Sequence, residues 1–125
     1  MRLKQNRLKE FQHRAVVPVK DAEGSSSVEY AQAVPFLAEE WPGGGKLQAQ
    51  MYGIRLPSIR NLRIQGSYAE TNRISDGALA FQVKDGPLIK VNDGVCLFVS
   101  AESEPDYRVV AIYPYRFLTL EVEKI

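Results

Sequence analysis

Apolar and polar residues alternate along much of this chain with the period of a β-strand. Leu118, Leu120 and Val122 interleave with Thr119, Glu121 and Glu123, the pattern of a strand with one dry and one wet face. Residues 11–20 read as a first strand ending in the β-branched Val16, Val17 and Val19, where Pro18 marks an edge because it lacks an amide donor. A second strand begins at Val28 or Tyr30 and reaches Phe36 or Leu37, with Pro35 at a bulge or edge. Further β-rich runs cover residues 59–64, 78–83, 88–91, 95–99, 107–113 and 117–122. Asp76-Gly77, Asp85-Gly86 and Asp93-Gly94 are pairs favoured in tight hairpin turns, and residues 21–27 read as an exposed turn. Short strands at spacings of ~8–12 residues predict a mostly β fold, a small antiparallel β-barrel or sandwich.

Two stretches fall outside this pattern. Trp41-Pro-Gly-Gly-Gly-Lys46 breaks the chain, and residues 47–56 have the mixed polarity of a short helix or an ordered loop. Residues 42–58 are therefore expected to form a long projecting loop, and a connection of that length in a small domain is either functional or disordered. Residues 1–10 carry Arg2, Lys4, Arg7 and Lys9 against Glu10, and read as a solvated basic N-terminal arm.

The length of 125 residues fits one β domain, 1–125. With 45% hydrophobic and 25% charged residues, the composition excludes wholesale disorder. Lys and Arg total 16 against 15 Asp and Glu, which removes a strongly basic footprint for nucleic acid over the whole chain but not a local one. A single cysteine, Cys96, points to a reducing compartment. With no apolar run near ~18 residues and no signal-peptide core, the expectation is a soluble intracellular product without a membrane partner.

Candidate chemistry is thin. His13, the lone histidine, would serve as a general base or sit at a surface or interface. Cys96 lies within an apolar run, where a buried thiol acts as a small hydrophobe. Gly43-Gly-Gly-Lys46 lacks the spacing of a phosphate-binding loop. The three Asp-Gly aspartates suit turns better than calcium, and Glu39-Glu40 and Glu102 with Glu104 read as solvated charge. No catalytic residue, cofactor or metal is expected. Two features stand out instead. Lys46, Arg55, Arg60, Arg63 and Arg73 face only Glu70 in the middle segment, while acids cluster at residues 23–40 and after Glu102. A basic loop of this kind suits phosphates or the acidic face of a neighbouring subunit. Tyr52, Tyr113 and Tyr115 are candidate interface aromatics, whereas Tyr107 and Phe117 suit the core.

The order of segments resembles the small head–tail adaptor and head-closure (stopper) proteins of tailed bacteriophages and prophages. The resemblance runs through the basic arm, the first strand at residues 11–19, the turn at 21–27 and the strand ending at 34–38. It continues through Gly43-Gly-Gly-Lys-Leu-Gln-Ala-Gln-Met-Tyr-Gly53, Ile89-Lys-Val-Asn-Asp-Gly-Val95, Pro105-Asp-Tyr-Arg-Val109, residues 112–117 and Leu120-Glu-Val-Glu-Lys-Ile125. It implies a non-enzymatic virion component that self-associates into a ring below a portal or adaptor protein and above a tail-completion or tail protein. Such a subunit helps retain packaged DNA, with Lys46, Arg55, Arg60 and Arg63 on the channel side, open to non-specific DNA contact, and residues 42–58 mobile in the free chain. Three alternatives remain at this stage: a tail-completion neck protein, a small enzyme, or a β-barrel module for single-stranded nucleic acid. The last would use a groove of Tyr52, Arg55, Arg60, Arg63 and Tyr68.

Overall fold

A computed structural model of the chain describes residues 7–20, 24, 26–71 and 79–125. Residues 1–6 of the expected arm, residues 21–23 and 25 of the expected 21–27 turn, and Arg73 with Asp76-Gly77 lie outside them. The strands are β1 (Lys9–Arg14), β2 (Val16–Lys20), β3 (Ser26–Tyr30), β4 (Val34–Pro42), β5 (Ile59–Ile64), β6 (Tyr68–Thr71), β7 (Ala80–Val83), β8 (Leu88–Ile89), β9 (Gly94–Cys96), β10 (Tyr107–Pro114) and β11 (Leu118–Lys124). Of the two expected architectures the barrel is the one found. In the order β1-β4-β5-β11-β10-β9 six strands close on themselves, every neighbour antiparallel. Closure leaves no unpaired edge on this sheet. Leu62, Ile64, Leu118, Leu120, Val122, Val109 and Val95 fill the interior almost free of solvent contact. A second sheet, β6-β7-β8, adds Phe81, Val83 and Ile89 to the same core.

The first two expected strands are each broken once. β1 and β4 pair inside the barrel, whereas β2 and β3 leave it as a separate two-stranded ribbon. Side chains fix the bend. The Arg14 guanidinium donates to the carbonyls of Ala31, Tyr30 and Ser103, and Asp93 Oδ1 accepts from the amide of Val16. The expected strand at residues 95–99 shrinks to β9, because the Leu97 and Phe98 amides turn away to the Asp106 carboxylate.

Two of the expected turns are described. Asp85 takes a φ of 57° in a turn closed by Gly86 N–H to Val83 O. At the other, Asn92 rather than Asp93 takes positive φ, 79°, and Asp93 N–H closes onto Lys90 O. That one-residue offset turns Asp93 inward, where it is fully buried. It accepts from His13 Nε2 at 2.7 Å and from the Lys90 amide. His13 is therefore buried, not at a surface or interface as its isolation suggested, because a buried carboxylate requires such partners.

Residues 42–58 differ from the expected projecting loop. Residues Lys46–Tyr52 form a helix, α1, and Gly53–Ser58 continue as a 3-10 turn. Gly53 makes the join by adopting a φ of 55° while its amide bonds to Ala49 O. The helical segment lies against the outside of the barrel, held by side chains from β5 and β11. Among the described residues no helix is long and apolar enough to cross a membrane.

Candidate functional site, a helical segment with its polar face inward

The outer face of β11 presents Thr119, Glu121 and Glu123, since Leu118, Leu120 and Val122 point into the barrel. The expected wet face is covered at both glutamates: Glu121 is 3% and Glu123 9% exposed. Carboxylates so placed need donors, and the helical segment supplies them. Gln48, Tyr52 and Arg55 recur at steps of four and three residues, so they share one face of the segment. Tyr52 Oη donates to Glu121 Oε1 over 3.0 Å, and Gln48 Nε2 donates to Glu121 Oε2. Gln48 also exchanges hydrogen bonds with Asn61 of β5, donating over 2.7 Å and accepting over 3.3 Å. From β10, Tyr113 Oη donates to the same Glu121 oxygen as Tyr52. Arg55 grips both Glu123 oxygens at 2.7 Å, and Arg108 reaches one of them at 3.2 Å.

Titration follows this geometry. Burial, reinforced by the Glu121 hydrogen bond, pushes the Tyr52 phenol up to about 12. The Glu121 hydrogen bond, with burial behind it, raises the Tyr113 phenol. Hydrogen bonding to Arg55 holds the Glu123 carboxyl below its ordinary value and raises the Arg55 guanidinium. Burial raises the Cys96 thiol.

With the polar face turned in, the apolar face of the segment is turned out. Leu47 is 70%, Met51 51% and Ile54 100% exposed, again at steps of four and three. Single exposed apolar residues are ordinary, whereas here three lie along one side of one short element.

The basic residues singled out from sequence do not form one surface. Arg55 is bound to Glu123 as described. Arg60 shares the inward parity of Leu62 and Ile64, and its Nη1 lies 2.9 Å from Glu40 Oε1 while its guanidinium covers Phe98. Arg63 faces the opposite way, over Trp41 and 3.7 Å from Glu39. The charge separated along the sequence is thus paired in space, the acids of β4 and β11 meeting the guanidiniums of the middle segment. Lys46 takes part in none of the ion pairs found among the described residues. Tyr68 lies on β6 and donates to the Tyr115 carbonyl. With Arg60 and Arg63 on opposite faces of β5, the five residues expected to form a groove for single-stranded nucleic acid do not share one surface. Of the interface candidates, Tyr52 and Tyr113 meet at Glu121. Tyr115 is 61% exposed and stacks on Tyr113, ring centres 5.4 Å apart. Of the core candidates, Tyr107 is buried and Phe117 half-buried.

Among the described residues no group of His, Cys, Asp and Glu has the arrangement of a metal site. Gln48, Asn61, Glu121 and Glu123 were missed from sequence. Their signal was the matching step of polar residues on the segment and carboxylates on every second position of β11. Compared with protein-family models, curated proteins and solved structures, the chain matches none.

Proposed function

We propose that the chain is a structural assembly subunit of a tailed-phage or prophage head–tail connector, acting in head completion rather than catalysis. One observation carries the reading: the helical segment spends its polar face on the barrel and offers Leu47, Met51 and Ile54 outward. A segment serving only the fold would bury that stripe, at ~1.5–3 kcal/mol for each side chain fully covered. Leaving it in water makes sense when another protein covers it. The order of segments resembling the head-closure family supplies the context, a ring in the virion between portal or adaptor above and tail proteins below. The β2–β3 ribbon, a sheet separate from the barrel with Val17 and Val28 exposed, is a second element available to neighbours.

The reading is tested by disrupting the gene in a phage or prophage that carries it and imaging the lysate by electron microscopy. The expected particles are detached, complete tails and heads that have lost DNA. Intact tailed virions formed without the protein would refute the proposal.

A further inference from the structure

We infer that the outward stripe of one copy seats in a groove on a second copy, a contact between two different surfaces of the same chain. The inference rests on the assembly reading above and names the partner of the stripe. The groove encloses about 330 Å³ between the β1–β4 pair and the turn after β7. Pro35 and Leu37 of β4, with Val83 at the end of β7, give it apolar walls, and Leu37 is 47% exposed. Glu10, Lys84 and Asp85 stand around it, two acids against one base, so it carries one net negative charge. The stripe begins beside Lys46, whose charge is opposite and lies in none of the ion pairs among the described residues.

The segment lies over β5 and β11, whereas the groove lies on β1 and β4. Stripe and groove are different surfaces, so each copy offers both at once: two copies exchange stripes reciprocally in a closed pair, or each fills the next copy's groove in a ring or filament. Three side chains in one groove fall short of the ~800 Å² per partner of a stable pair. The free chain therefore associates weakly, and the contact gains strength where each copy makes it twice.

Cysteine pairing reads a weak contact of this kind. Native Cys96 is buried and does not compete. Under mild oxidation, a mixture of Ile54→Cys and Leu37→Cys chains is expected to cross-link at least about tenfold faster than Ile54→Cys with Glu102→Cys, a control at an exposed loop, because the contact raises the local thiol concentration. Adding Glu10→Lys to the Leu37→Cys chain is expected to slow the reaction. Equal rates for test and control pairs would overturn the inference, as would fastest pairing of Ile54→Cys with itself. Either result leaves the gene-disruption outcome untouched, and the stripe then belongs to a different protein.

Discussion

Replacing Tyr52 by Phe removes one hydroxyl from the contact between the helical segment and β11 and leaves the ring in place. That hydroxyl donates to Glu121 Oε1 over 3.0 Å, one of three donors on a carboxylate with no cation in ion-pair range among the described residues. Hydrogen bonds to charged groups contribute ~1.5–3 kcal/mol. Tyr52 is half-buried, so water replaces part of the loss and the low end, ~1.5 kcal/mol, applies. This corresponds to about a tenfold larger population of the detached segment. Native-state hydrogen exchange reads it at two amides, Ala49 to Gly45 O and Gly53 to Ala49 O. Both are expected to exchange about tenfold faster in Tyr52→Phe, while core amides of β5 and β11 keep their rates because local opening and global unfolding are separate processes. Tyr113 bonds to Glu121 from β10 and not from the segment, so Tyr113→Phe is expected to leave exchange at Ala49 and Gly53 near the parent rates. Because both phenols share one oxygen, the double variant should depart from the sum of the singles by at least ~0.5 kcal/mol. Unchanged exchange at Ala49 and Gly53, or equal acceleration throughout the barrel, would refute the claim that this carboxylate holds the segment.

Acid should release the same segment. Glu123 titrates below its ordinary value of 4.5 in the folded chain, so its contribution is complete above that pH and is lost as the pH falls through the lower folded value. Exchange at residues 53–58 is expected to quicken over that window in the parent chain and to lose the dependence in Arg55→Gln. In base, the phenols report: Tyr52 and Tyr113 are expected to ionise above the ordinary phenol value of 10 in an ultraviolet titration, Tyr52 at about 12. Their contribution is present below the ordinary phenol value of 10 and lost as the pH rises through the folded values. Glu121→Gln should bring both back toward ordinary behaviour. Asp93→Ala strands His13 and the Val16 and Lys90 amides, and is expected to lower the denaturant-derived unfolding free energy by ~3–5 kcal/mol.

The parts legible in the sequence were those set by local rules. Alternation at residues 118–123 gave the correct inward set, and the run at 59–64 is β5 as expected. Asp85-Gly86 turned where turn chemistry placed it. The parts that were not legible depend on what lies across from a residue. Period two says which face Glu121 occupies but not that a helical segment covers it. His13 looks solitary in sequence because its partner, Asp93, is 80 residues away. Arg60 and Arg63 looked like one basic patch, yet three residues along a strand place them on opposite faces. The inverted segment was within reach: Gln48, Tyr52 and Arg55 against Leu47, Met51 and Ile54 already describe two faces. Helical polarity does not reveal which face meets the protein, and the default of apolar inward is wrong here.

That inversion is the centre of the account, and a triple variant, Leu47→Asp, Met51→Asp and Ile54→Asp, tests it most directly. A stripe that serves assembly predicts a melting temperature and helical-segment exchange close to the parent, together with failure to restore joined virions when the variant complements a disrupted gene. Loss of folding stability on the scale of a core substitution, ~2–5 kcal/mol, or full restoration of virions, would contradict it.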